Sequence, residues 1–334
     1  MIYSASVSEA IRDFGSKWHF VSLQLKRAGI GLVVLIIASY IPPRVWKQFA
    51  PLLLIGGLVL LLLVIIPGIG TKVQGARRWL VMPGINLQPA ELIKFIEIAY
   101  LSSWLSARRV TLMQFLTFVG VTAGLIMLEP DMGTTIVVSL IAVAMYFLAG
   151  YPPAHLYAIG GVGLLLGSLL IFTSTYRMER LKTFLDPEHD PSGSAYHIRQ
   201  VVLALGSGGI TGVGIGRSRQ KYEYLPESTT DSIFAVVGEE LGFLGSVGLI
   251  ALFTYLITLV FRVASQAKDA YASLVAAGVG AWITIQVALN LSAMVALAPL
   301  TGVPLPLVSY GGSALITILL GLGVVLAVAR SERL

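Results

Sequence analysis

The 334 residues include 23 Lys and Arg, 17 Asp and Glu, four His and no Cys, giving a net charge of +6 with 56% hydrophobic residues. Charged residues make up 12%, half of the roughly 25% that covers a soluble domain, and mean hydropathy is +0.84. A soluble globular protein is excluded, and the apolar content suits roughly nine spanning helices of about 20 residues each. The lack of Cys excludes disulfides, thiolate zinc sites and Cys nucleophiles. With no basic, polar recognition domain, the positive charge belongs to internal loops rather than to nucleic-acid binding.

The start, MIYSASVSEAIRDFG, lacks the basic-then-apolar layout of a signal peptide and gives no ordinary start to a spanning helix. Apolar segments follow at 20–41, 46–66, 89–107, 111–128, 132–150, 154–175, 233–262, 269–298 and 310–330. Their lengths predict helices, since barrel strands run about 10 residues with alternating polarity. The fold class is therefore all-α, a polytopic integral membrane protein of about nine transmembrane helices forming a single domain over 1–334. Two connections are long, 67–88 and 176–232. The second is a large loop between the sixth and seventh helices, with Ala195, Ile198, Val201, Val202 and Leu205 at helical spacing along the membrane surface.

Basic residues of the short loops set the orientation. Arg44, Lys47, Arg108, Arg109, Arg262, Lys268, Arg330 and Arg333 mark one side as cytoplasmic, together with the C-terminus. The acidic Glu129-Pro130-Asp131, the uncharged 299–309 connection and both long loops fall outside. Nine spans leave Arg12 and Lys17 outside as well, and one further helix before residue 1 removes that difficulty.

Charges inside a bilayer are expensive and point to function. Glu91, Lys94 and Glu97 share about a third of a helix circumference. They are either a cavity-facing strip whose lysine meets an anionic substrate group or a self-neutralising pair that fixes packing. Asp231, where a polar loop enters a helix, is either a general base or half of a Ser228–Asp231 capping box whose helix terminus lowers its pKa. Glu239 and Glu240 read as network carboxylates. Arg77, Arg78, Arg217, Arg219 and Lys221 suit phosphate recognition and equally lipid headgroups. The backbone of Tyr310-Gly311-Gly312 could face an anion at a helix N-terminus. The run GSGGITGVGIG (206–216) is no dinucleotide fingerprint, because no strand precedes it, and the four His show no metal-ligand spacing.

Six stretches then carry a resemblance: GARRWLVMPGINLQPAELIKF (75–95), LEPDMGTTIV (128–137), FLDPEHDPSGSAYHIRQ (184–200), GSGGITGVGIGRSRQKYEYLPE (206–227), DSIFAVVGEELGF (231–243) and PLTGVPLPLVSYGGSA (299–314). In this order they resemble the SEDS family (FtsW, RodA and SpoVE), with an FtsW-like flavour in GARRW and the 212–227 stretch. The resemblance implies a peptidoglycan glycosyltransferase that polymerises lipid II at the outer face of the bacterial cytoplasmic membrane and releases undecaprenyl diphosphate. It works in division or elongation with a class B penicillin-binding protein, among membrane lipids. The family's essential aspartate falls on Asp231, in a motif that also holds Glu227. Its QPSE-x-x-K motif falls on Gln88, Pro89, Glu91 and Lys94, and its EPD acid on Asp131. The implied substrate-binding set is thus Arg77, Arg78, Glu91, Lys94, Asp131, Lys221 and Glu227, with Asp231 catalytic. No metal ligand is assigned and no cofactor is fixed, a divalent cation (magnesium or manganese) being left open. Thr229 and Ser232 stand where the family commonly has His and Phe, which leaves positioning of the base without its usual histidine. The family has ten helices, and MIYSAS resembles the outer end of the first. A lipid II flippase and a scaffold for the transpeptidase are the competing readings.

Overall fold

The computed structural model describes residues 1–73, 75–82, 85–107, 110–186, 194–218 and 225–332. Each of the nine apolar segments coincides with a helix: α2 (His19–Tyr40), α3 (Pro43–Ile65), α4 (Pro89–Ser106), α5 (Leu112–Leu128), α6 (Met132–Leu148), α7 (Ala154–Phe172), α10 (Ile233–Gln266), α11 (Ala270–Met294) and α12 (Gly312–Ser331). They are preceded by α1 (Ile2–Phe14), and α8 (Thr175–Leu185) and α9 (Ser194–Ser207) lie in the long loop. Among the described residues, α2, α3, α7, α10, α11 and α12 are long and apolar enough to cross a membrane. The protein is a multi-pass membrane protein. Helix ends follow local chemistry. Pro43 and Pro89 occupy first-turn positions, where a missing N–H costs nothing. Thr111 and Gln114 close a reciprocal capping box at α5, and Gly15 in the left-handed region ends α1.

The 67–88 connection, expected to be an irregular loop, is a three-stranded antiparallel sheet of β1 (Gly70–Val73), β2 (Ala76–Met82) and β3 (Ile85–Leu87). Gly70 pairs with Leu80 and Leu80 with Leu87. Residue 70 must be glycine, because a Cβ there would stand 1.7 Å from the Val64 carbonyl oxygen.

The chain divides into two compact units. One comprises 27–159, 256–285 and 312–334. Its core joins Leu54 and Leu61 of α3, Ala90, Ile93 and Ile96 of α4, Ile126 of α5 and Val138 of α6. Glycines bring these helices close, as small residues do where no hydrophobic drive separates helix from lipid. A Cβ on Gly57 would meet Ile93 at 2.8 Å, and one on Gly278 would meet Ile98 at 2.7 Å. Helix α4 is buried on nearly every side.

The other unit comprises 1–26, 160–255 and 286–311. Here α10 is broken at Gly242 (φ 68, ψ −165), and the 206–216 run lies against the break. Val213 and Gly214 donate to the carbonyls of Glu239 and Glu240, while Phe243 and Leu244 donate to those of Gly209 and Ile210. The backbone groups that the break frees are thereby paired, as a low-dielectric setting demands. Only glycine allows this approach: a Cβ on Gly208 would lie 2.0 Å from the Gly238 oxygen, and one on Gly212 would lie 2.2 Å from that of Glu240. On α9, Ala195, Val201 and Ala204 are buried. Val202 is exposed.

Candidate active site

Asp231 lies in a turn two residues before α10 begins. The amides of Thr230 and Ser232 both donate to the Glu227 carbonyl, at 3.1 and 3.2 Å, and Glu227 takes a positive φ of 50. The capping box does not form. The Ser228 hydroxyl donates instead to the carbonyl of Ala5 in α1, and the helix starts too late for Asp231 to sit in its first turn. The pKa expectation changes with it. Burial raises the Asp231 carboxyl from 3.8 to about 7, helped by the Glu227 carboxylate and opposed by its own backbone amide, Arg180 and the Thr230 hydroxyl. Desolvation outweighs any helix-end effect, and the result is a carboxylate basic enough to accept a proton near neutrality.

Three further elements hold this turn. From α11, the buried Asn290 side-chain amide donates to the Asp231 carbonyl (2.7 Å) and to that of Val303 (2.9 Å). One helical turn earlier, Gln286 donates to Pro304. The 299–311 loop is thus fastened to α11 and to the turn together, with the Tyr310 amide on the Thr229 carbonyl (2.9 Å) and the Ser309 hydroxyl on that of Thr230. It passes the carboxylate at Gly302, whose φ is +70; a Cβ there would lie 3.9 Å from Asp231 Oδ2. From the long loop, Arg180 of α8 donates to the Leu300 carbonyl at 2.7 Å. His197 of α9 shares a 2.7 Å hydrogen bond with the Ser232 hydroxyl. Burial, then Arg180, push the His197 pKa down to about 4 against Glu227, so its imidazole is neutral at physiological pH. Arg180, His197 and Asn290 escaped sequence reasoning, because none carries a spacing signal and each reaches the Asp231 turn or the loop beside it from a distant segment.

Glu239 and Glu240 are network carboxylates, as expected. The Ser218 hydroxyl donates to Glu239, and the Ser4 hydroxyl donates to Glu240. The anticipated anion-binding backbone at Tyr310-Gly311 is occupied from within, Gly311 donating to the Gln24 side chain and Tyr310 to Thr229.

Arg77, Arg78, Glu91, Lys94 and Asp131 lie in the unit of 27–159, 256–285 and 312–334. Lys94 and Glu91 form a buried salt bridge of 2.7 Å, with the Lys94 ammonium 5.8 Å from the Trp282 ring centroid. Glu91 Oε2 and both Glu97 oxygens are buried without hydrogen-bond partners. The pairing predicted for the strip is therefore present at Glu91 and Lys94, and Glu97 stands outside it. On β2, Arg78 donates to the Glu129 carbonyl (3.0 Å) and to that of Pro130, and Arg77 pairs across the sheet with Lys72. Asp131 caps α6 through the Thr134 amide (3.0 Å) and accepts from the Gln88 side chain (3.3 Å). The Glu129 carboxyl is raised to about 8 by burial and by Asp131, against Arg78. Lys221 lies outside the described residues. Among the described residues no three His, Asp or Glu side chains converge as a metal site.

Comparison with known proteins identifies the lineage. The sequence profile of the FtsW/RodA/SpoVE family, described as cell cycle proteins, matches residues 1–334. Stage V sporulation protein E of Bacillus subtilis (strain 168) is 38% identical, covering 100% of this chain and 93% of its own. A probable peptidoglycan glycosyltransferase FtsW of Coxiella burnetii is 39% identical over 98% of this chain and 91% of its own. A solved structure described as structural coordination of polymerization and crosslinking by a peptidoglycan synthase complex matches with TM-score 0.80 and 30% identity, covering 99% and 96% of the two chains. The rod shape determining protein RodA of Thermus thermophilus matches with TM-score 0.70 and 27% identity over 100% and 93%. The chain belongs to the FtsW/RodA/SpoVE family.

Proposed function

We propose that the protein is a peptidoglycan glycosyltransferase that polymerises lipid II at the outer face of the bacterial inner membrane. Asp231 is its general base. The carboxylate takes the proton of the acceptor GlcNAc 4-hydroxyl as that oxygen attacks the anomeric carbon of the donor MurNAc. The bond from that carbon to the phosphate oxygen breaks, undecaprenyl diphosphate leaves with the bonding electrons, and the α-linked donor becomes a β-1,4 linkage. The observation that carries this reading is the Asp231 turn: a carboxylate raised to about 7, its backbone fixed by Asn290 and Glu227. Base catalysis of this kind contributes about 10²–10⁴-fold. Family membership over the whole chain supports reading 1–334 as one catalytic domain, with the long loops extracytoplasmic and the C-terminus cytoplasmic.

The departing diphosphate needs cationic partners. Arg77, Arg78, Lys94 and Lys221 are the candidates, and Arg180 joins them through its electrostatic influence on Asp231. Glu91 acts through Lys94, its salt-bridge partner, and Asp131 and Glu227 are the candidates for the acceptor hydroxyls. The relative described as a peptidoglycan synthase complex supports a class B penicillin-binding protein as partner. The test is a gel assay of lipid II polymerisation by the purified protein with a cognate transpeptidase. Asp231→Asn should abolish product while the protein remains folded. Retained polymer would overturn the assignment, and lipid II scrambling in proteoliposomes that survives Asp231→Asn without polymer would establish the flippase reading instead.

A further inference from the structure

His197 of the long loop goes unused by the mechanism above, and it touches the base's own segment. His197 lies on the face of α9 that also carries the buried Val201 and Ala204, and one turn on, Leu205 packs at Gly238, where a Cβ would meet its Cδ2 at 2.4 Å. This face docks α9 on the first half of α10 and delivers the imidazole to Ser232 at 2.7 Å. Ser232 is completely buried, follows Asp231 directly, and has its amide on the Glu227 carbonyl. On the same side Asn290 holds the Asp231 carbonyl, and on the preceding side the Thr230 amide donates to the Glu227 carbonyl. The Asp231 backbone is therefore gripped at both ends, and the grip on the Ser232 side closes through His197.

We infer that His197 and Ser232 form a positioning pair that sets the orientation and partial burial of the Asp231 carboxylate, which extends the general-base reading and rests on it. The two residues act through Asp231 and touch no substrate. The charged groups bearing on the cluster are Arg180 from α8, Glu227 within the turn, and Glu9 of α1, which in turn feels Glu227. Arg180 and Glu227 act on both His197 and Asp231, so the imidazole and the carboxylate share one electrostatic environment. A neutral imidazole suits this place: it hydrogen-bonds the serine without adding a second cation that would neutralise the base.

The experiment measures lipid II polymerisation against pH for wild type, His197→Ala, Ser232→Ala, the double variant and His197→Gln, with detergent melting curves for each. A misplaced base typically costs up to about 100-fold. His197→Ala and Ser232→Ala should each lower kcat by about tenfold to a hundredfold with KM unchanged. Because the released turn exposes the carboxylate, the acid limb should also move to lower pH. The double variant should be no worse than either single one, and His197→Gln, whose side-chain amide still reaches the serine, should restore most of kcat. Should His197→Ala fail to fold, Ser232→Ala reads the same hydrogen bond with a smaller truncation. Wild-type kcat with an unmoved acid limb in Ser232→Ala overturns the inference, as do losses that simply add. Asp231→Asn run alongside separates the two claims: if it is inactive while the pair is dispensable, only the positioning inference falls, whereas an active Asp231→Asn removes the base itself.

Discussion

Gly242→Ala tests whether the break in α10 is held as described. Residue 242 sits at φ 68, ψ −165, a region essentially confined to glycine that costs another residue about 1–3 kcal/mol. The new methyl would also stand 2.3 Å from the Gly212 nitrogen and 2.6 Å from the Ile210 oxygen. Both are backbone atoms already committed to hydrogen bonds, the Gly212 amide to the Gly208 carbonyl and the Ile210 carbonyl to the Leu244 amide across the break, and overpacking of this kind adds about 1–3 kcal/mol. The expected loss is on the order of 2–6 kcal/mol. Gly124→Ala in α5 is the control, because nothing lies within 4 Å of its added Cβ and a helix interior gains about 0.5–1 kcal/mol from the change. Thermal melting in one detergent, with monodispersity followed by size exclusion, should rank Gly124→Ala at or above wild type and Gly242→Ala well below both. A Gly242→Ala protein that melts with wild type would refute the close approach of 206–216 to the break.

Three other outcomes are expected. Lys94→Met leaves Glu91 buried beside no cation and should cost about 3–5 kcal/mol, while the double change Glu91→Gln/Lys94→Met recovers much of it; equal losses in a melting comparison would contradict the buried pair. Asp231→Asn should stabilise the protein above pH 7 and not at pH 4. The folded state, with its carboxyl raised from 3.8 to about 7, holds a proton that the unfolded chain releases between those values, so stability declines as pH rises across that window, by on the order of 2–4 kcal/mol. Pairwise melts at the two pH values decide it. Arg78→Ala strips donors from the carbonyls of Glu129 and the exposed Pro130 and should cost about 1–3 kcal/mol for the Glu129 carbonyl left unpaired. It should also push the Glu129 carboxyl further above its present value of about 8, read as an upward shift in the pH dependence of melting.

The apolar segments were legible because a spanning helix announces itself by length. The sheet at 70–87 was not. Its strands are three to seven residues long, too short for alternation to stand out beside Gly68, Gly70 and Pro83. Asp231 was legible as a costly carboxylate, but its pKa was read with the wrong sign. A capping box is a local rule, and the burial that overrides it comes from segments 50 or more residues away in the chain. The 206–216 glycines illustrate the same limit. Their run was visible, yet their reason is Gly242, and nothing local links the two. Arg180 and His197 sat in the long loop as ordinary polar residues until folding placed them beside the base.

The burial of α4 has a consequence for how the chain is made. With Glu91, Lys94 and Glu97 in eighteen residues, this helix would partition poorly from a translocation channel into lipid by itself, each ionised side chain near the helix centre costing about 2.5–3.5 kcal/mol. Helix α3, with mean hydropathy 2.6, has no such difficulty and packs along α4 at Gly57. The short sheet between them joins the two into a hairpin. Release of α4 into the bilayer therefore waits on its neighbours, and reporter fusions made just after α4 should misreport its topology while fusions after α6 report it correctly.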